Sequence, residues 1–398
     1  MREFMQAARL TERVLATRAV RALLGVLVVA YILIGLAWSW SFIRSGSSTD
    51  FEWRWQEISY VVRGVDPYTV LHDQTRVLDE IGRPGGVYPP WSYALALPFV
   101  WPVSRNAAIL VFVLWNVFAV VWMVRSAPQL IPSGEPNLLR LASVAPLATL
   151  PLAIGLRHLN YGLLLTAAVV AFALQLRKGR EALAGVFLAM VAIKPHFGAL
   201  FFLVPLVRRK WTPLGIAGGL IALAAAAVWF RTGVDPIRML RGLFSEGVTY
   251  ENAYLGLLNP LRSMGASTQL VTTAGLVGGG LLAIVLAVYS RHATALAALA
   301  GMAAVSKLWA YHHTHDLIAI GLVVLALIEL VALENSNRSW MALAAGCVSF
   351  WTPYMSRFDF MPIVPEAFRL VWLGLAFFVV ACQRSGETFK PTDAEATP

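Results

Sequence analysis

One pattern constrains this chain more than any other: apolar runs of about 20 residues, parted by short polar segments, recur along its whole length. A helix needs about 20 mostly apolar residues to cross the hydrocarbon core of a bilayer. Runs of that kind lie at about 22–42, 106–124, 138–155, 160–176, 212–230, 268–289, 293–310, 317–333, 340–354 and 363–382. The pattern predicts an all-α polytopic membrane protein with about 10–12 transmembrane helices. They form one membrane domain over 22–382, between an N-terminal segment 1–21 and a polar tail 383–398. Composition enters as the check. The 398 residues are 58% hydrophobic and only 14% charged, whereas soluble domains carry roughly 25% charge. A soluble fold is excluded.

Two stretches break the pattern. The segment 89–102 is short and bracketed by prolines, and 181–207 is interrupted by Lys194, Pro195 and His196. Both read as broken or re-entrant helices, which a membrane tolerates only where protein or a watery cavity covers the freed backbone groups.

The net charge of +10 does not point to nucleic acid, because the basic residues are scattered in clusters between apolar runs rather than gathered on one face. That distribution is the signal of membrane topology. Placing the N-terminus, 125–140, Arg177 to Arg180, Arg208 to Lys210, Arg291 and the tail in the cytoplasm gives one self-consistent threading. The first 21 residues, with Arg2, Arg9, Arg13, Arg18 and Arg21, precede an apolar stretch as in a signal peptide. That stretch is too long and too aromatic at its end, so we read a retained first span. Cys347 and Cys382 lie within apolar runs and read as packing residues, without a disulfide framework.

The threading brings a first loop (44–88), the turn at 155–160, the break at 194–196, a second loop (232–267) and the segment 306–316 to the outer face. Six of the seven histidines fall there: His72, His158, His196, His312, His313 and His315. Polar groups gathered at one membrane face mark a site, because they are costly unless they line a cavity.

In the first loop, Thr49 and Glu52 have the spacing of a capping box, which puts Asp50 in the first turn of a helix. Phe51, Trp55, Ile58 and Val62 make one apolar face, while Glu52, Arg54, Glu57 and Arg63 face elsewhere. The expectation is an amphipathic helix at the membrane interface. Asp50 has two readings: a partner of the helix dipole, or a base kept ionised by that dipole where a lipid-linked substrate presents its head group.

Thr49-Asp50-Phe51 and its aromatic helix, then Gly64-Val65-Asp66-Pro67-Tyr68, then Val87-Tyr88-Pro89-Pro90, resemble the first-loop signature of glycosyltransferase family 87. The likeness continues through Leu159-Asn160-Tyr161-Gly162, Ile193-Lys194-Pro195, Glu251-Asn252 and the segment from Trp309 to Asp316. This chain departs from the family at Arg157-His158-Leu159, where members often carry Gly-Gln before the asparagine, and in the histidine richness of its late motif. The resemblance implies a membrane enzyme of the GT-C superfamily in the bacterial cytoplasmic membrane. Its donor would be a polyprenyl-phosphate sugar, commonly mannose, its acceptor a glycolipid or glycan, and Asp50 the acceptor-activating base.

Such a transfer needs preorganised cations for the phosphate charge that develops. Arg157, Lys194, His196, Arg262, Lys307, His312 and His313 are the donors on that face, with Lys307 and Arg262 also readable as interfacial anchors. Tyr88, His158, Asn160, Glu251, Asn252 and Asp316 complete the candidate binding set. His312, His313, His315 and Asp316 have spacing that a metal would accept, yet binding of phosphate or sugar is favoured, and no cofactor is expected. No Walker A loop, dinucleotide fingerprint or nucleophile elbow occurs. The rival readings are a lipid or sugar transporter, whose site would lie near the midplane, and a polysaccharide polymerase or ligase on lipid carriers.

Overall fold

Apolar periodicity along the chain becomes helix after helix in the computed structural model. It describes residues 50–85, 88–101, 104–145, 150–247, 264–309, 314–349 and 364–385, with Ala37, Ser41 and Arg44 before them. The expected span 22–42, the Thr49 half of the capping box, and Glu251, Asn252, Arg262, His312 and His313 lie outside the described residues.

The helices are α1 (Asp50–Val62), α2 (Pro67–His72), α3 (Pro90–Ala96), α4 (Arg105–Ser126), α5 (Pro136–Val144), α6 (Leu150–His158), α7 (Gly162–Arg177) and α8 (Glu181–Val191). They continue with α9 (Pro195–Gly198), α10 (Leu203–Val207), α11 (Trp211–Thr232), α12 (Pro236–Gly247) and α13 (Thr268–Tyr289). The last four are α14 (Ala295–Trp309), α15 (Gly321–Glu334), α16 (Asn337–Ser349) and α17 (Val364–Ser385). No strand occurs among the described residues.

Among the described residues, four helical segments are long and apolar enough to cross a membrane: Arg105–Leu130, Trp211–Thr232, Gln269–His292 and Leu317–Glu334. Their outward surfaces confirm the setting. On α4, Leu110, Leu114 and Phe118 form an exposed stripe at a spacing of four, and on α11 Phe230 is 94% exposed. Continuous apolar stripes of this kind belong in lipid, since soluble proteins rarely expose large apolar patches. The core forms around helices apolar on every side. In α7 the run from Gly162 to Gln175 is buried, and in α15 the run from Gly321 to Val331. α7 packs on α4, α8 and α14, and α15 packs on α14, α16 and α17, so α14 links the two. The chain is an all-α polytopic membrane protein.

The expected break is real, and its chemistry is visible. Pro195 lacks an amide proton and disfavours helical backbone at Lys194, which adopts φ −121 and ψ 87. The freed carbonyls are covered by α3: Trp91 Nε1 donates to Ala192 O at 2.9 Å, and Ser92 Oγ to Ile193 O at 2.6 Å. Gly198 then lies so close to the Val191 carbonyl that any Cβ would collide with backbone. Short α3, which starts at its own proline pair, thus caps the interrupted helix.

The second loop holds a helix that was not anticipated. Gly233 ends α11 at φ +71, and the Asp235 carboxylate accepts the Ile237 amide at 2.8 Å, restarting the chain as α12. α12 lies against α2, where Gly242 approaches the Tyr68 ring.

Candidate active site

The site begins at the first residue of α1. Phe51 packs on Phe112 of α4 with ring centroids 5.0 Å apart, and Glu52 takes an ion pair from Arg105 at 2.9 Å. The polar face of α1 differs from the sequence expectation. Arg54 is 6% exposed and Glu57 1%, so the middle of the charged side turns into protein, while Arg63 stays exposed. The reason is a second layer: α3 and α11 pack on α1 besides α4. Arg54 Nη1 donates to Glu57 Oε2 at 2.5 Å. Burial opposes the charge on Arg54, but Glu57 and its neighbours outweigh it and hold the guanidinium above its ordinary range.

The returning half of the first loop is tied down over this helix. Tyr60 Oη donates to Gly82 O at 3.0 Å and accepts the Leu78 amide at 2.8 Å. Tyr68 Oη donates to Tyr88 O at 2.5 Å. Burial, followed by the nearby Glu57, pushes the Tyr68 phenol far up, so it stays a donor. Gly85 passes directly above Trp53 and Arg54, with no room for a side chain to be added without displacement.

Asn160 reaches Asp50 from the end of α6. That helix closes with a six-to-one bond, Asn160 N to Gly155 O at 3.1 Å, and with Leu159 in the left-handed region at φ +49. A bulky residue there costs roughly 1–3 kcal/mol, and the turn it makes aims the Asn160 side chain. Asn160 Nδ2 donates to Asp50 Oδ2 at 2.8 Å. Its Oδ1 accepts the Gly162 amide at 2.9 Å and Lys194 Nζ at 3.3 Å. An amide proton and an ammonium can only donate, and a carboxylate of this kind accepts, so the amide has one consistent orientation. Asp50 is half-buried, while Asn160 and Lys194 are buried. Three distant segments therefore meet: the start of α1, the end of α6 and the break before α9.

An aromatic chain runs through Phe51 and Tyr161, the residues that follow Asp50 and Asn160. From Phe51 it runs to Phe112 (5.0 Å), to Tyr161 (5.6 Å) and to Tyr88 (6.0 Å), and returns to α1 through Arg54, whose guanidinium lies 4.1 Å from the Tyr88 ring centre. Both ends of the chain are on one helix, Phe51 and Arg54 of α1. Arg54, Glu57, Ser92, Tyr93 and Tyr161 also line a small internal cavity. None of these was picked out from the sequence, although Asp50, Arg54 and Glu57 at i, i+4 and i+7 share one helical face.

The other expected residues divide. Tyr88 is buried within the aromatic chain, and Arg157 and His158 occupy the last turn of α6, partly buried. His196 follows Pro195, partly buried, in α9. Lys307 is 1% exposed, with Nζ 4.9 Å above the Phe197 ring. That overturns the anchor reading, because a snorkelling lysine would reach outward. Asp316 lies in the 3₁₀ segment Thr314–Ile320, which packs along α6 and so runs beside the site. Among the described residues no group of three His, Cys, Asp or Glu side chains is placed to hold a metal ion.

The arrangement presents a carboxylate, braced by an amide, with an ammonium on the far side of that amide. An arrangement of this kind can accept a proton beside a developing negative charge. The sequence model of glycosyltransferase family 87 matches residues 87–310, more than half of the chain. No curated protein matches it.

Proposed function

This chain belongs to glycosyltransferase family 87, and from that premise we propose that it moves a hexose, mannose first, from a polyprenyl-phosphate carrier to a glycolipid or glycan acceptor. Asp50 is the general base, and the reaction takes place at the extracytoplasmic face of the bacterial cytoplasmic membrane. The observation that carries this reading is the Asp50–Asn160–Lys194 chain. The acceptor hydroxyl gives its proton to the Asp50 carboxylate while its oxygen bonds to the anomeric carbon. The bond from that carbon to the phosphate oxygen breaks on the opposite side, the lipid phosphate leaves with the electron pair, and the configuration inverts. Lys194, buried at the helix break, contributes positive charge to the site. Tyr88, Arg157, His158, His196, Lys307 and Asp316 are the further residues proposed to bind sugar or phosphate. Glu251, Asn252, Arg262, His312 and His313 keep their proposed part in binding sugar or phosphate. Phosphate or sugar binding by the histidine-rich segment is favoured over a divalent metal in this reading. Membership in a glycosyltransferase family favours transfer over transport.

The test is a donor panel in membranes that contain the protein. Labelled mannose, glucose and arabinose would be offered on synthetic polyprenyl phosphate, beside the nucleotide-linked sugars, with purification of the labelled lipid product. Transfer from a lipid-linked hexose is expected, with mannose fastest. Transfer from nucleotide sugars alone would overturn the donor assignment.

A further inference from the structure

Asp50, Arg54 and Glu57 form a single stripe of alternating charge on α1, and two of the three are almost wholly buried. A buried ion pair is a poor source of stability, because desolvation of both charges offsets their attraction. Its place under the first turn of the site therefore calls for another explanation. We infer that Arg54 is a positioning residue for Asp50: clamped between Glu57 and the Tyr88 ring, it fixes the first turn of α1 and keeps the Asp50 carboxylate ionised while the acceptor binds. This rests on the reading of Asp50 as base, and adds to it the residue that sets the pH range over which that base works.

The geometry supports each part. Arg54 follows Asp50 by one helical turn, so the two side chains rise on the same face. Its guanidinium is fixed by an ion pair at 2.5 Å and by an aromatic face at 4.1 Å. The loop backbone at Gly85 packs close by, since a Cβ there would lie 3.2 Å from the Arg54 guanidinium. Asp50 is among the charges acting on Arg54, after Glu57, Tyr88 and Tyr161. Glu57, farther along the helix, balances the guanidinium so that the buried pair is neutral as a unit. Tyr68 and Tyr93 stand near Glu57. From the other elements, Lys194 acts through Asn160, and the Glu52–Arg105 pair flanks the same turn.

A single substitution would strand the partner charge, so the test removes both. Arg54→Met with Glu57→Leu, or the polar Arg54→Gln with Glu57→Gln, keeps the site neutral. Full protein in nanodiscs would be assayed for transfer from the lipid-linked hexose across pH. For a neutral pair that accumulates normally, the expected result is a lower kcat with the acid limb moved up by roughly one pH unit, while KM for the donor changes little. A wild-type pH profile in such a variant would overturn the assignment, since a purely structural pair would leave the profile in place. Failure of both neutral pairs to accumulate, while Asp50→Asn accumulates, would also overturn it by assigning the pair to folding alone. If Asp50→Asn itself keeps wild-type turnover, the general-base reading fails instead, whatever the Arg54 variants do.

Discussion

Two polar clusters are sunk in this apolar bundle, at opposite ends of α7, and they differ in what their side chains are spent on. Asn160 lies just before α7 and Arg177 ends it, which separates the ends by about 24 Å. At the far end, Arg208 Nη2 donates to the carbonyls of Ser290, Ala293 and Thr294 at 3.2, 2.7 and 2.9 Å. Thr294 Oγ1 donates to Glu329 at 2.6 Å and accepts the Ala297 amide at 3.2 Å. Gln383 joins them, accepting from Thr294 N at 2.9 Å and donating to Glu329 at 3.2 Å. Most of these bonds satisfy helix-end groups, and Glu329 is 4% exposed. Burial pushes Arg208 down to about 10, so it remains a cation at neutral pH. The Asp50 cluster links side chains to one another across three segments and leaves its carboxylate partly open. A cluster that holds helix ends together closes on the backbone; the Asp50 cluster joins side chains and keeps its acid only half-buried.

The comparison can be broken or sharpened by four substitutions. Asp50→Asn has the largest expected effect, a fall in kcat of about 10²–10⁴-fold with unchanged melting temperature; thermal unfolding and transfer rate on the same preparation check it. Asn160→Ala should lower kcat about 10- to 100-fold, because the carboxylate and Lys194 lose their common brace, and donor affinity measured separately should move less. Arg208→Met inverts the pattern: a loss of about 2 kcal/mol in stability, read by denaturation in detergent, with activity per folded molecule unchanged. Arg105→Met, which removes the half-exposed pair with Glu52, should cost no more than about 1 kcal/mol, with transfer within about twofold of wild type. A large activity loss in Arg208→Met would erase the distinction between the two clusters.

Much of the architecture was legible because lipid imposes one rule. Backbone groups must be satisfied within the segment, so long apolar runs become helices, and prolines at 89, 90 and 195 mark where they stop. Asp50, Asn160 and Lys194 stood out as polar residues at such boundaries. What spacing does not carry is the identity of the partner. That Asn160 bridges the other two depends on a left-handed Leu159, which nothing in the residue type foretells. α1 was read as two-faced because periodicity along one helix separates its sides, and says nothing about how many neighbours will cover them. With α3, α4 and α11 all packed against it, even Arg54 and Glu57 of its charged face became interior. Lys307 had two readings, phosphate donor and interfacial anchor, because a position near the end of an apolar run suits either, and its burial over Phe197 of α9 removes the second. The helix α12 was hidden inside a loop because its cues, Gly233 and Asp235, are also ordinary turn residues.

The most direct test of the account compares transfer from polyprenyl-phosphate mannose by wild-type and Asp50→Asn protein, reconstituted side by side with donor binding measured in the same samples. The account predicts that Asp50→Asn binds the donor with near wild-type affinity and transfers its sugar at least about 10²-fold more slowly. Wild-type turnover by Asp50→Asn would contradict it.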